Sequence, residues 1–364
     1  MTASRFMRLA LDAAERVRGT TSPNPGVGAV VVRDGTVVAT GATHPYGGPH
    51  AEADALAQCD ARGADVYVTL EPCSAFPGKR TPPCSGALIA AGVRRVVVAL
   101  ADPDAHVRGR GAALLREAGI RVELGDGAAE ATVQLRPYLK HRATGLPYVT
   151  AKFAASLDGM IAAPGLRWLT GERARARAHD DRARADAIMV GSGTVIADDP
   201  ALTARPGGVT AQRQPLRVVT DATGRIEPSA RLFREPGRVL VATTPQSGAA
   251  WRAAIVSAGA TVIECEGAEA GVNLDQLLQA LGQRGVLSLT VEGGAQLLRS
   301  CLAGEHANEV HAYLAPMLIG PGGLPVLGST GPALAAVPLR LDSVVIEPLD
   351  PDVLVRGYTG TWAP

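Results

Sequence analysis

The sequence lacks several features that would distinguish it from an ordinary globular protein. Its 36 lysines and arginines are almost balanced by 35 acidic residues, which leaves a net charge of only +1. A protein that grips a nucleic-acid backbone usually has a clear excess of positive charge, so no nucleic-acid partner is expected. No apolar run reaches the ~18 residues that a membrane-spanning helix needs. Residues 1–18 have no apolar core of the export-signal type, so we expect a cytoplasmic protein that does not contact membranes.

Cysteine is also scarce, with five residues in a chain of 364. So few cysteines do not form a disulfide framework in a chain of this length, and two close cysteines in a reducing compartment indicate a metal site or catalysis. Cys73 and Cys84 are such a pair. The other three have no motif around them, and we expect small buried apolar side chains at Cys59, Cys265 and Cys301.

The chain is long enough for two hydrophobic cores. Valine-rich runs alternate with stretches of helical spacing in both halves, which predicts two α/β domains. Asp34-Gly35 between two such runs predicts a hairpin. Turn residues at 142–147 precede a new apolar run, so we predict domains at 1–145 and 146–364. The stretch 173–184, rich in Arg, Ala and Asp, is expected to be a helix with a solvated charged face.

The strongest motif is His50-Ala51-Glu52, followed by Pro72-Cys73 and Pro83-Cys84. One imidazole and two thiolates are three good zinc ligands, and a fourth position stays open for water, as in catalytic sites. Zinc acidifies that water, and Glu52 can move its proton to a ring nitrogen and to departing ammonia. Because both cysteines follow prolines, we expect them at helix starts, where the helix dipole favours thiolates. The alternative interpretation is a structural zinc site.

A His-x-Glu segment followed by Pro-Cys and Cys is the signature of zinc nucleobase deaminases. Three features resemble the deaminase half of the bifunctional riboflavin-biosynthesis enzymes. They are the long spacing between the two cysteines, the segment 21–30, and Thr-Pro-Pro-Cys at 81–84. This resemblance implies a cytidine-deaminase-like, three-layer α/β/α domain, with substrate contacts at Asn24 and Arg80. The loop Ser74–Arg80 departs from the family pattern, since it is longer and has no histidine.

The second half contains no G-x-G-x-x-G fingerprint after its first strand. Glu292-Gly293-Gly294 at a strand end suits a phosphate, because glycines let the backbone approach it closely. The second half also resembles, segment by segment and in the same order, the reductase half of the same family, which has a dihydrofolate-reductase-like α/β fold. The matching segments are 148–159, 168–170, 186–200, 202–205 and 291–294. Two segments depart from the family pattern: the loop Pro164–Arg167 is two residues shorter and has Leu166 in place of a serine, and Asp221-Ala222 stands in place of the family's Asp-Ser. The resemblance implies NADPH contacts at Ala154, Trp168, Thr194, Asp198, Leu202, Gly293 and Gly294.

The same resemblance implies substrate contacts at Arg182, Arg205 and Glu292, where an arginine fork could bind a ribose phosphate through paired hydrogen bonds. The predicted function is therefore zinc-dependent deamination of 2,5-diamino-6-(5-phosphoribosylamino)pyrimidin-4-one, followed by NADPH-dependent reduction of its ribosyl group to ribityl. The partners would be this small phosphorylated pyrimidine and further copies of the chain, in a dimer or tetramer. Two alternatives stay open: a relative acting on another pyrimidine or pterin, and an enzyme that edits bases in nucleic acid.

Overall fold

The structure is a computed structural model that describes residues 2–75, 77, 81–268, 271–329 and 338–363. The chain divides into two compact units, Met1–Gly145 and Leu146–Ala363. Each unit has its own β-sheet, of five strands in the first and nine in the second. Among the described residues, no helix is long and apolar enough to cross a membrane.

The first unit alternates strands and helices. Its strands are β1 (Gly28–Arg33), β2 (Thr36–Ala42), β3 (Asp65–Leu70), β4 (Arg95–Leu100) and β5 (Arg121–Leu124), and its helices are α1 (Arg5–Arg16), α2 (Ala51–Leu56), α3 (Cys84–Ala90), α4 (Arg110–Glu117) and α5 (Ala128–Thr144). The sheet order is β2-β1-β3-β4-β5. β1 is antiparallel to β2 and β3, whereas β3, β4 and β5 are parallel. The predicted hairpin forms, with Asp34 and Gly35 both at positive φ.

Helices cover both faces of this sheet, and two glycines show how closely they approach it. A Cβ atom on Gly28 of β1 would lie 1.9 Å from a backbone oxygen of α1. A Cβ on Gly41 of β2 would lie 2.3 Å from a backbone oxygen of α2. Gly41 pairs with Ala29, the neighbour of Gly28, so the two glycines point to opposite faces. The predicted three-layer arrangement is therefore confirmed.

The second unit is a mixed α/β layer. Its strands are β6 (Tyr148–Ser156), β7 (Met160–Ala162), β8 (Ala187–Gly191), β9 (Leu216–Thr220), β10 (Val239–Thr243), β11 (Thr261–Glu264), β12 (Gly267–Ala268), β13 (Gly271–Val272), β14 (Ser288–Val291), β15 (Glu309–Ala315), β16 (Leu324–Pro325), β17 (Asp342–Leu349) and β18 (Asp352–Tyr358). Its α-helices are α6 (Glu172–Arg184), α7 (Ser192–Asp198), α8 (Ala249–Ser257), α9 (Leu274–Gln283) and α10 (Ala295–Ala303). Short 3-10 turns occupy Pro206–Gly208, Arg231–Phe233 and Pro245–Ser247.

The large sheet has the order β11-β10-β9-β8-β14-β6-β15-β18-β17. The strands from β11 to β15 run parallel, and β18 and β17 are added antiparallel at one edge. Apolar cores cover both faces of the parallel part, one including α9 and α10 and the other α8. Because ligands of such sheets bind at the carboxyl ends of the strands, the loops after β8, β9 and β14 are the expected wall of a site.

The expectation of a solvated charged face on α6 is wrong for the second half of that helix. Arg177 bonds to Asp181 and to Glu347 of β17, and Arg182 bonds to Glu292. These arginine side chains are only about a fifth exposed or less, at 20% and 18%. The charges are therefore ion-paired against the sheet, a contact that no local sequence pattern contains.

Candidate active sites

Three side chains that are far apart in the sequence meet in the first unit. His50 immediately precedes α2, Cys73 follows β3, and Cys84 begins α3. Their candidate ligand atoms all lie within 4.8 Å of one another. The His50 Nδ1 atom is 3.6 Å from Cys73 Sγ and 3.5 Å from Cys84 Sγ. One nitrogen and two sulfurs that converge in this way fit a zinc ion with a fourth position for water.

Polar groups around the cluster fix its side chains. The Thr81 hydroxyl lies 3.3 Å from the other ring nitrogen of His50, Nε2. A partner on this nitrogen sets the orientation of the ring and leaves Nδ1 directed at the two sulfurs. The backbone N–H of Cys84 donates to Cys73 Sγ at 3.4 Å, which orients the second sulfur. The cluster is thus preorganised from three separate segments of the chain.

The expectation that both cysteines begin helices is half right. Cys84 is the first residue of α3, but Cys73 lies in an irregular loop. That the helix dipole favours the thiolate of Cys84 stays a prediction. Its interaction with Cys73 and its burial raise the pKa of the Cys84 thiol well above the ordinary value. Two thiols so close to each other and to a buried carboxyl group need a cation to lose their protons, which is the chemistry of a metal site.

Glu52 is the acid-base group beside the cluster. It lies in the first turn of α2, two residues after His50, and is only 4% exposed. Burial, and secondarily the charge of Cys73, raises the pKa of Glu52 to about 7. A carboxyl group with such a pKa can both accept and donate a proton near neutral pH. The predicted base is therefore placed next to the predicted metal ligands.

A cavity of about 250 Å³ opens beside these residues. His50, Glu52 and Cys73 lie in its wall together with Asn24, the predicted substrate contact. The size suits a small ring-containing molecule rather than a polymer. Arg80, the other predicted substrate contact of this unit, lies outside the described residues.

Sequence reasoning missed a buried acid in the same wall. Asp102 follows β4 and accepts hydrogen bonds from the Tyr138 hydroxyl at 3.0 and 3.2 Å. Burial raises the pKa of Asp102 to about 6. Glu71 holds this segment in place by accepting backbone N–H bonds from Asp102 and Gly109. The sequence could have indicated Asp102 by its position, since it follows the carboxyl end of a strand predicted to be parallel, where ligands bind in such sheets.

The second unit contains a larger cavity, of about 1200 Å³, at the carboxyl ends of β8, β9 and β14. Most of the predicted reductase residues line it: Ala154, Trp168, Thr194, Asp198, Glu292, Gly293 and Gly294. Leu202 does not. Its side chain is 4% exposed and belongs to the apolar core on one face of the sheet.

The glycine pair after β14 leaves room for a ligand to approach the backbone closely. Gly293 has a φ of 110°, a conformation that other residues rarely adopt. A Cβ added there would meet nothing within 4 Å, whereas one on Gly294 would lie 3.2 Å from Thr194 Oγ1. α10 begins immediately afterwards at Ala295, so backbone N–H groups of its first turn are available near the pair. This arrangement fits a phosphate group of a nucleotide.

Glu292 balances two buried cations. Its carboxylate accepts two hydrogen bonds of 2.7 Å from Arg182, from Nε and one terminal nitrogen. Lys152 Nζ lies 3.8 Å away. Burial opposes the charge on Glu292, but Arg182 and Lys152 outweigh it and lower its pKa. The Arg182 fork thus binds a carboxylate here, and its predicted contact with the substrate stays a prediction.

Lys152 was not singled out from the sequence, although it is the buried ammonium group of this cavity. Its Nζ lies 5.5 Å from the centre of the Tyr313 ring. Burial lowers the pKa of Lys152 more than Glu292 raises it. A lysine with a lowered pKa beside a carboxylate is a candidate proton donor.

Arg205 lies beside His179, with one terminal nitrogen 3.4 Å from His179 Nε2. Burial and the two neighbouring arginines, Arg182 and Arg205, lower the pKa of His179 to about 4. The imidazole is therefore neutral near pH 7 and can accept a hydrogen bond from Arg205. Neither side chain lines the large cavity described above.

Comparison with known proteins agrees with both sites. Residues 1–100 match the cytidine and deoxycytidylate deaminase zinc-binding region, and residues 147–355 match the RibD C-terminal domain. The chain also resembles the riboflavin biosynthesis protein RibD of Chlamydia pneumoniae, at 42% identity over 93% of this chain and 91% of that protein. The chain belongs to the RibD family. It is thus a bifunctional deaminase/reductase of riboflavin biosynthesis, as the sequence predicted.

Solved structures of the RibD family extend the likeness to the whole chain. RibD of Acinetobacter baumannii superposes with a TM-score of 0.87 at 35% identity, covering 97% of each chain. A Thermotoga maritima protein described as a diaminohydroxyphosphoribosylaminopyrimidine deaminase/5-amino-6-(5-phosphoribosylamino)uracil reductase superposes with a TM-score of 0.83 at 31% identity, again over 97% of each chain. The predicted fold of both halves is confirmed.

Proposed function

We propose that the first unit deaminates 2,5-diamino-6-(5-phosphoribosylamino)pyrimidin-4-one to the corresponding aminouracil, with zinc held by His50, Cys73 and Cys84. The observation that carries this proposal is the convergence of those three ligand atoms within 4.8 Å, beside the buried carboxyl group of Glu52. The donor set fits zinc in type and number, and a catalytic site needs only three protein ligands.

When bound, zinc lowers the pKa of a water molecule so that it can attack the ring near neutral pH. The chain itself supplies the proton transfers. A carboxylate oxygen of Glu52 would accept a first proton from the attacking water and deliver it to the ring nitrogen. It would then accept the second proton from the resulting hydroxyl and deliver it to the amino group, which leaves as ammonia. Asn24 and Asp102 lie in the wall of the cavity and would orient the pyrimidine through hydrogen bonds.

The second unit, in this proposal, binds NADPH and reduces the ribosyl group to ribityl. NADPH supplies a hydride, and the protein has to position it against the ribosyl C1′ in its ring-opened form. The glycine pair Gly293-Gly294 would hold the diphosphate, and the cavity of about 1200 Å³ is large enough for a dinucleotide beside a substrate. Ala154, Trp168, Thr194 and Asp198 would line the remainder of the cofactor site.

Lys152 is proposed to hold the proton that the reduction consumes. Its Nζ lies in the cavity wall next to Glu292, and its lowered pKa makes the ammonium a better acid than an exposed lysine. Glu292 and Arg182 form a fixed ion pair that orients Lys152. Arg205, which has no carboxylate partner among the described residues, is the better candidate of the two arginines for the ribose phosphate.

The deaminase proposal is tested with Glu52→Gln, and with Glu117→Gln, an exposed change on α4, as the matched control. We expect Glu52→Gln to lower ammonia release by at least about 100-fold, the low end for general acid-base catalysis. Zinc content and NADPH oxidation with the aminouracil as substrate should stay at the level of the unchanged protein. Ammonia release that persists in Glu52→Gln would reject the proposed role.

The alternative substrate, another pyrimidine or a pterin, is not favoured, because the likeness to RibD proteins extends over nearly the whole chain. Growth of a riboflavin-requiring strain that expresses the chain distinguishes the two. Growth without riboflavin supports the proposed substrate. Failure to grow, with a folded and zinc-loaded protein, would favour the alternative.

We also propose a homo-oligomer formed through the second unit. β17 is the last strand of the large sheet, and it exposes Val344, Val345 and Ile346 at 49%, 49% and 64%. An exposed apolar edge strand pairs readily with a second chain. Light scattering of Ile346→Lys should then show a smaller particle than the unchanged protein.

A cytoplasmic location stays a prediction, supported by five cysteines that form no disulfide.

A further inference from the structure

Helix α5 contributes two side chains to the wall of the cavity in the first unit, Tyr138 and Arg142. The motifs that identified the zinc cluster include neither of them. Tyr138 is only 5% exposed, and its hydroxyl donates to both oxygens of Asp102, at 3.0 and 3.2 Å. Two segments that are 36 positions apart in the sequence therefore meet in one polar contact of the cavity wall.

The direction of this hydrogen bond is fixed by chemistry. Burial, and secondarily the charge of Asp102, raises the pKa of Tyr138. The phenol therefore keeps its proton near neutral pH, so its hydroxyl is the donor and the carboxylate is the acceptor. The guanidinium carbon of Arg142 lies 5.0 Å from the centre of the Tyr138 ring. This stacking helps to hold the ring, and with it the hydroxyl, in place.

The backbone holds Asp102 from its other side. The N–H group of Asp104 donates to Asp102 Oδ1 at 2.9 Å, and the N–H group of Asp102 itself donates to Glu71 at 3.2 Å. An ionised carboxylate has about four acceptor positions, of which Tyr138 and Asp104 use only a part. Because Asp102 lies in the cavity wall, the remaining positions are available for N–H groups of a bound ring.

The charge of Asp102 depends on these hydrogen bonds. Burial raises the pKa of Asp102 to about 6, whereas the bonds from the Asp104 backbone and the Tyr138 hydroxyl oppose that rise. The neighbouring charges do not help, since Asp104 and Glu71 are both acidic and raise the pKa of Asp102 further. Two basic groups stand close by, but they pair with Asp104: His106 at 2.9 Å and Arg142 at 3.5 Å.

We propose that Tyr138 is a positioning residue of the deaminase, whose hydroxyl holds the Asp102 carboxylate in one orientation as a hydrogen-bond acceptor for the pyrimidine. This inference rests on the proposed function, in which the cavity binds that ring. Tyr138 acts through Asp102 and does not have to touch the substrate. Without the hydroxyl, the edge of an apolar ring would face a buried carboxylate, which would then take up a proton more readily. A protonated Asp102 loses acceptor capacity.

The test is Tyr138→Phe, which removes one hydroxyl and keeps the shape of the ring. Ammonia release by the full, zinc-loaded chain is measured as kcat/KM between pH 6 and pH 8. Loss of a hydrogen bond to a charged group should raise the pKa of Asp102 from about 6 to about 7. The ratio of variant to unchanged protein should then be near one at about pH 8 and fall about fivefold towards pH 6.

Using this ratio separates Asp102 from the other titrating groups of the cavity. The zinc ligands and Glu52 lie in the same wall, and their titration is common to both proteins and cancels in the ratio. A merely structural role of Tyr138 would lower the rate by the same factor at every pH. The pH dependence of the ratio is therefore the measurement that distinguishes positioning from packing.

Two further variants complete the design. Tyr67→Phe changes another buried tyrosine of the same unit, whose hydroxyl accepts a bond from Arg95 outside the cavity, and its ratio should not vary with pH. Asp102→Asn removes the titrating group, so adding Tyr138→Phe to it should give a ratio that is constant with pH. A constant ratio for Tyr138→Phe alone would overturn the role of Tyr138. If the unchanged protein releases no ammonia from the pyrimidine, the proposed function fails, and this inference fails with it.

Discussion

Replacing Glu292 by glutamine should destabilise the second unit strongly, because one carboxylate balances two cations there. Glu292 is 5% exposed, and its partners Arg182 and Lys152 are 18% and 19% exposed. Glutamine has nearly the same size, so the change removes charge without leaving a cavity. Removing one partner of a buried ion pair costs about 3–5 kcal/mol, because the other charge stays buried and unbalanced. Because Arg182 and Lys152 are each about a fifth exposed, at 18% and 19%, we expect the lower part of that range.

The measurement is the free energy of unfolding of the second unit by denaturant, together with its melting temperature. A change of about 3–5 kcal/mol corresponds to roughly 6–20 °C for a unit of this size. Glu264→Gln is the matched control. Glu264 lies 3.3 Å from Arg252 but is 48% exposed, so its loss should cost less than about 1 kcal/mol.

A double-mutant cycle tests the cause of the effect. Arg182→Gln in the Glu292→Gln background removes one of the unbalanced cations and should recover part of the lost stability, which gives a coupling energy above about 1 kcal/mol. Zinc content should be unchanged in all variants. If Glu292→Gln costs no more than Glu264→Gln, the buried carboxylate does not stabilise the fold and the reasoning is refuted.

Three further predictions follow from individual contacts. Thr81→Val removes the hydroxyl beside His50 Nε2, and competition with a chelator should show zinc affinity lower by about 10- to 100-fold; unchanged affinity would exclude that contact. Arg217→Met removes a buried side chain that donates to the backbone oxygens of Ala201, Leu232, Glu235 and Gly237, and denaturant unfolding should show a loss of about 2–4 kcal/mol. Burial opposes the charge on His311, but Asp181 and Glu309 raise its pKa. Its contribution to stability is therefore complete below the ordinary histidine pKa of about 6.5 and is lost as pH rises through the higher pKa of the folded state. The difference in unfolding free energy between the unchanged protein and His311→Gln should accordingly shrink from pH 6 to pH 9, and a constant difference would contradict the assignment.

Local patterns predicted most of the regular elements near the sites. Apolar runs of the sequence correspond to β1, β3, β4, β8, β9 and β10, because a strand buried on both faces is apolar at nearly every position. The strands β15, β17 and β18 were not predicted. β17 is exposed at most positions, and its apolar residues do not alternate with polar ones. A two-residue turn, Asp350-Pro351, joins it to β18 in a hairpin, so a local signal was present although the apolar pattern of β17 was not.

Local sequence patterns also did not predict the partners of three arginine side chains. Arg182, Arg205 and Arg225 are alike in the sequence, each in a polar stretch. The fold pairs Arg182 with Glu292, places Arg205 beside His179 and directs Arg225 into the cavity. Which of them is available for a phosphate was therefore decided by contacts between distant segments.

The sequence by itself determined the chemistry of the first site, since His50, Glu52, Cys73 and Cys84 lie in short motifs whose residue types suit one metal and one proton transfer. It also determined the two α/β layers, because burial of one or both faces of a helix or strand gives a characteristic pattern of apolar residues in the sequence. Only the tertiary structure decided the ionisation of the buried groups and the partners of the arginines. Those properties depend on distance and on exclusion of water, and many of the residues involved are distant in the sequence, such as Arg182 and Glu292, which are 110 positions apart.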